Sequence, residues 1–176
     1  MADINFSASS RPSAAPPAGS SGPDASGEPH WEMIELLFFA YRDFIGDPDA
    51  ILDEFGFGRA HHRVLHFVNR NPGMAVAELL DILKITKQSL GRVLRELVEG
   101  GYVEQQTGEA DRRQRLLFAT PKGRSLALRL AEPQSRRIAA ALAALGPGGA
   151  EAAREFLRQM INDDERAETA RFAARP

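Results

Sequence analysis

The chain has 176 residues, 22 Lys+Arg against 24 Asp+Glu for a formal net charge of -2, and 43% hydrophobic residues. That length bounds one or two small domains, and neither an apolar run of about 18 residues nor a charged-then-apolar N-terminal stretch points to a membrane span or a secretory signal. The absence of cysteine excludes disulfides, thiolate zinc, iron–sulfur clusters and thiol redox chemistry, so the expectation is a cytoplasmic protein with no membrane partner.

Residues 1–29 form the first segment. Of the first 27 residues, 20 are Ala, Gly, Ser or Pro, too little apolar surface to offset ordering entropy, so a disordered tail is expected. From His30 the composition changes: Trp31, Ile34, Leu37, Phe38, Tyr41, Phe44 and Ile45 recur at intervals of three and four and stop at Gly46-Asp47-Pro48. This predicts an amphipathic helix with a broad, aromatic-rich face. A short helical stretch over 50–55 leads to a Gly56-Phe57-Gly58 turn, and 59–69 reads as a second clear helix stopped by Asn71-Pro72-Gly73.

A helix over 77–83 and another starting after Thr86 are separated by about three residues, which predicts a helix-turn-helix. Thr86 caps the second helix through its hydroxyl, and Gly100-Gly101 supply its left-handed stop. Two β-prone runs, 102–106 and 113–119, flank a polar tip over 107–111 and predict a hairpin, which behind a helix-turn-helix is a wing. Thr120-Pro121 opens a long helix with a threonine cap and proline at its first position, kinked at Pro133 and broken at Gly146-Pro147-Gly148-Gly149. One last helix is expected from Ala150 to about Ala167. The predicted fold class is mainly α with a small β-wing (α+β).

The total charge conceals an uneven distribution. Residues 1–58 carry 2 basic and 10 acidic side chains, a net of -8; residues 59–130 carry 13 and 7, a net of +6; residues 131–176 carry 7 of each. A basic middle between acidic and neutral flanks suits a nucleic-acid module in a larger scaffold. Within it, four basic residues and no acid lie between Lys84 and Arg95.

The order of these features, with Thr86-Lys87-Gln88-Ser89-Leu90 opening the second helix, then Leu94, Leu97, Gly101-Tyr102-Val103, Asp111-Arg112-Arg113, Ala119-Thr120 and Gly123, resembles the MarR family of winged helix-turn-helix regulators. The wing carries that family's Asp-x-Arg, with Ala119 in place of the more usual leucine. The resemblance implies a homodimer in which N- and C-terminal helices interlock. On that basis the chain divides into a tail (1–29), a dimerisation helix and connector (30–58), a winged DNA-binding lobe (59–122) and C-terminal dimerisation helices (123–170). The apolar first helix and the alanine-rich later ones suit that division.

On a helical wheel Leu90, Val93, Leu94, Leu97 and Val98 face inward, with Gln88, Arg92, Arg95 and Glu99 opposite. The N-terminal residues of such a helix enter the major groove of double-stranded DNA. Gln88 suits adenine N6 and N7, and Arg92 suits guanine O6 and N7. Thr86, Lys87, Ser89 and Arg95 are expected on phosphates, and Glu96 and Glu99 outside the groove. On the wing Arg112, Arg113 and Arg115 are candidate contacts. The family motif implies that Arg113 enters the minor groove, with Asp111 holding it or the wing backbone. Two lobes about a two-fold axis predict a pseudo-palindromic site with half-sites about one helical turn apart.

His62 and His66 stand at i, i+4 on one helix and, with aromatic residues of the first helix, suggest a pocket for a small-molecule effector. A metal site is not expected, because no third ligand stands at a recognisable spacing. No Gly-x-Ser-x-Gly, phosphate-cradling loop or His-Glu-x-x-His is present, so neither enzyme nor cofactor is expected. The alternative reading is a winged-helix module that docks on a protein and does not bind DNA; apolar or acidic residues on the exposed face of the second helix would favour it.

Overall fold

The computed structural model describes residues 28–108 and 112–173. Nearly all of the expected tail, and Asp111 at the wing tip, therefore lie outside the described residues. The chain order is α1 (Trp31–Gly46), α2 (Asp49–Asp53), α3 (Arg59–Arg70), β1 (Met74–Ala75), α4 (Val76–Leu83), α5 (Lys87–Glu99), β2 (Val103–Thr107), β3 (Arg115–Ala119), α6 (Pro121–Ala144), α7 (Gly149–Gln159) and α8 (Asp163–Ala173).

The core belongs to the central lobe. Leucines from four helices and the sheet, Leu65, Leu79, Leu90, Leu97, Leu117 and Leu130, are almost completely buried there. Burial follows the helical repeat: α3 contributes positions 61, 64, 65 and 68, and α5 positions 90, 93, 94 and 97. Each buried leucine contributes roughly 1.5–3 kcal/mol of transfer free energy.

Local signals set the ends of these helices. The Ala75 amide donates to Glu78 Oε2 at 2.8 Å at the start of α4, and the Ser89 amide donates to Thr86 Oγ1 at 3.2 Å at the start of α5. Gly101 takes φ 72° after α5. With it the Tyr102 amide reaches the Leu97 carbonyl at 2.8 Å and the Gly101 amide reaches Val98 at 3.0 Å, a Schellman stop that turns the chain straight into β2.

The sheet is antiparallel with strand order β1-β3-β2. Met74 pairs with Leu117 on one side of β3, and Val103 with Ala119 through Thr107 with Arg115 on the other. Met74 and Ala75 thus form a third strand, which periodicity alone could not assign because it spans only two residues. On β2 only Val103 is buried, so the hairpin projects beyond the lobe.

Thr120 joins the wing to α6. Its hydroxyl donates to the Gly101 carbonyl at 2.7 Å and accepts from the Gly123 amide at 3.1 Å. Gly123 lies directly against the Tyr102 carbonyl, where a Cβ would overlap the oxygen. The helix α6 runs through Pro133 as a single element. Leu126, Ala127 and Leu130 are buried against the lobe, and the positions beyond Gln134 are mostly exposed. Gln134 Nε2 donates to the Phe44 carbonyl at 3.0 Å, and Arg137 grips Asp47 with two 2.7 Å bonds, which ties the end of α1 to α6.

The single last helix expected over 150–167 is instead two. After α7 the Arg166 side chain donates to the carbonyls of Gln159 and Ile161, both at 3.0 Å, satisfying groups that a continuing helix would have used. Asp163, Asp164 and Glu165 then supply the negative first turn that favours a fresh start. The new helix turns toward the lobe, with Glu165 3.4 Å from Lys84 and Arg171 3.9 Å from Glu78.

Candidate nucleic-acid interface

Three residues, Lys84-Ile85-Thr86, separate α4 from α5, and Lys84 adopts the left-handed conformation with φ 50°. This tight turn leaves α5 with its leucine face in the core and the opposite face in solvent. Gln88, Ser89, Arg92 and Arg95 are all exposed. The helix stands as a ridge between two grooves. One, of about 740 Å³, has Leu80 and Val98 in its lining and brings Lys87 and Arg95 together with Arg113 and Arg115 of the wing. The other, of about 710 Å³, is lined by Gln88, Ser89 and Arg92.

Thr86 and Ser89 are exposed, and their hydroxyls lie 2.8 Å apart within the cap. Arg112 and Arg113 are exposed on the wing. Arg115 is anchored across the hairpin, donating from Nη1 to its cross-strand partner Thr107 at 2.7 Å. The local geometry therefore gathers the cations of helix and wing on one face. Gln88, Arg92 and Arg95 on the exposed face of α5 argue against the protein-docking alternative, although Leu80, Val98 and Glu99 also line the groove on the wing side.

His61, which sequence reasoning did not single out, and Glu96, expected outside the groove, sit beside this face. His61 is 6% exposed, and its Nε2 lies 2.6 Å from Glu96 Oε2 of α5. His61 Nδ1 accepts from the Gly58 amide at 3.1 Å, so Nε2 carries the proton and donates to the carboxylate. The ring stacks on Phe57 at 4.6 Å with 10° between the planes. The other oxygen of Glu96 faces Arg92 Nε at 3.3 Å. The signal for His61 was present, since it occupies the first position of the buried 61, 64, 65, 68 stripe. Its partner Glu96, 35 residues away, was not inferable.

His62 and His66 line a separate cavity of about 380 Å³, walled by Tyr41 and Phe44 of α1, Phe67 of α3 and Gln134 of α6. Loss of solvent lowers the pKa of both rings; the neighbouring His66 lowers that of His62 further against a smaller opposing effect of Asp49, and Arg70 adds to the lowering at His66. Among the described residues no group of three or more His, Cys, Asp or Glu could hold a metal ion, and no helix is long and apolar enough to cross a membrane.

A helix-turn-helix whose second helix stands exposed beside a β-hairpin defines a winged helix-turn-helix protein. Residues 55–114 match the model of the MarR family. Over 129 residues the chain is 49% identical to the HTH-type transcriptional regulator PetP of Rhodobacter capsulatus, covering 73% of this chain and 78% of that protein. The chain belongs to the MarR family, and its role is that of a MarR-type transcriptional regulator. The fold matches a MarR family regulator from Listeria monocytogenes solved in complex with 26mer DNA, with a TM-score of 0.65 at 18% identity over 80% of this chain and 91% of that one. It also matches a MarR family regulator from Silicibacter pomeroyi, with a TM-score of 0.59 at 20% identity over 73% and 84% of the two chains.

Proposed function

We propose that the protein binds double-stranded DNA as a homodimer at a pseudo-palindromic site, with α5 in the major groove and the wing arginines at the minor groove. The observation that carries this reading is the gathering of Gln88, Arg92 and Arg95 on the exposed ridge of α5, with Arg113 and Arg115 across one groove from it. Gln88 and Arg92 present groups that match adenine and guanine edges. Thr86, Lys87, Ser89, Arg95 and Arg112 surround them at positions suited to phosphate, and Arg113 reaches from the wing. The DNA complex of the Listeria relative supports the same use of this fold.

Support for the dimer comes from α1. None of its residues is buried, and Trp31 and Phe38 are 62% and 71% exposed. Phe156 and Leu157 of α7, with Met160 just after it, add further exposed apolar surface. An apolar surface on this scale exceeds what an isolated chain ordinarily leaves in water, and a second copy supplies a self-complementary cover. The cavity at His62 and His66 lies between α1, α3 and α6, where the proposed dimerisation helix meets the lobe, and serves as the effector pocket. Its aromatic walls, with the Arg63 guanidinium beside them and Arg59 already paired with Asp49, favour a small aromatic anion.

The direct test is a titration of duplex DNA selected by the full chain from a random library, at fixed salt. Arg113→Ala is expected to weaken binding about tenfold while leaving the dimer intact, in line with a contact worth 1–2 kcal/mol. Equal binding by variant and parent would remove the minor-groove role.

A further inference from the structure

Arg92, proposed above as a base reader, is held by more than its own helix. We propose that His61 and Glu96 form a tether that presets the Arg92 guanidinium for base recognition, making both of them positioning residues for specificity. The inference rests on the proposed reading of α5 in the major groove.

An arginine and a glutamate four residues apart on a helix surface ordinarily make a loose pair, since each side chain samples several rotamers. Glu96 is different because its carboxylate is fixed from beneath. His61, its side chain 8% exposed, donates to Oε2 at 2.6 Å. The imidazole cannot turn away without giving up the Gly58 amide on Nδ1 and the stack on Phe57. Phe57 in turn packs edge-on against Tyr102, with centroids 5.2 Å apart, at the start of β2. The carboxylate is thus anchored to the connector and the core rather than to α5 alone, and Oε1 is left to take Arg92.

The choice of atoms on Arg92 matters. Glu96 engages Nε at 3.3 Å, and the arginine side chain is still 77% exposed. The edge formed by the two Nη atoms, which pairs bidentately with guanine O6 and N7, is not the edge that Glu96 takes. A tether on Nε restricts rotation of the guanidinium and leaves its reading edge to DNA. Part of the entropy of ordering a long side chain is then spent before binding, which sharpens discrimination between bases more than it raises affinity. Glu96 lines neither of the grooves that flank α5, and its carboxylate meets His61 and Arg92.

The test measures base preference with the full chain at fixed salt. Binding is compared on the selected duplex and on duplexes carrying each other base at the position where Arg92→Ala changes the preference. Glu96→Ala and His61→Phe are each expected to flatten that preference about three- to tenfold, a fraction of what a bidentate contact supplies. In an Arg92→Ala background the same changes are expected to add nothing at that position. Glu96→Ala removes a negative charge and strengthens binding to unselected DNA, whereas His61→Phe does not, so the two separate charge from positioning. Unchanged base preference in Glu96→Ala, whose partly exposed carboxylate leaves the core intact if His61→Phe fails to fold, overturns the tether. So does an equal loss with and without Arg92. Should Arg92→Ala alter no base preference while binding persists, the base-reading role of Arg92 itself fails, a result distinct from the failure of the tether.

Discussion

The exposed placement of Gln88 was legible from the sequence because a helical wheel needs only the position of the first turn, and Thr86 marks that turn. That exposure on α5 follows from the burial of Leu90 and Leu94 on the opposite side. Gln88→Ala is expected to relax base preference at one position of each half-site, by the five- to tenfold or so that one side-chain contact to a base edge supplies. A selected-sequence profile identical to the parent's would refute it. The histidines were legible in kind but not in role. Both His62 and His66 have folded-state pKa values below the ordinary 6.5. The unfolded chain therefore binds more protons as the pH falls toward and below 6.5, and the stability contributed by the neutral rings, complete above that value, is lost as the pH passes through the folded values. Thermal unfolding between pH 7.5 and 5 is expected to show this fall, and His62→Gln with His66→Gln to flatten it. A pH profile unaltered by the double substitution would separate the rings from the effect.

At the scale of elements, caps and stops were readable and the break between α7 and α8 was not. Thr86, Thr120 and Gly101 act through neighbours within a few residues, so local chemistry suffices to identify them. The end of α7 depends on Arg166 folding back to the Gln159 and Ile161 carbonyls, and no hydrophobic period announces such a contact. Gly123 shows the same limit. It matches the family pattern, and the reason it cannot carry a side chain is the Tyr102 carbonyl, which arrives from the other side of the hairpin. Gly123→Ala would push α6 from the wing and is expected to lower unfolding stability by about 3 kcal/mol, the upper end of the overpacking range, in denaturant titration. A change under about 0.5 kcal/mol, the scatter of ordinary surface substitutions, would mean that the contact relaxes freely.

For the whole molecule, the exposed face of α1 governs the prediction. Phe38→Glu puts a charge on its most exposed aromatic position, far from the lobe core. Sedimentation is expected to show a monomer with a folded lobe, and affinity for a two-half-site duplex to fall about 100-fold or more as the linkage of two lobes is lost. A parent chain that sediments as a monomer, or a variant that remains dimeric, would argue against α1 as the interface.

By itself the sequence determined the winged helix-turn-helix, the basic character of its middle segment and the exposed face of α5. Each of these depends on periodicity, turn chemistry or charge within a short window, where a side chain's surroundings are set by its near neighbours. Only the tertiary structure decided which histidine is buried, that Glu96 faces both His61 and Arg92, and that Met74 lies beside Leu117 in a third strand. It alone turned α8 back toward the lobe. Those relations join residues tens of positions apart, and the distance between such residues is fixed by how the leucine core packs rather than by any spacing along the chain.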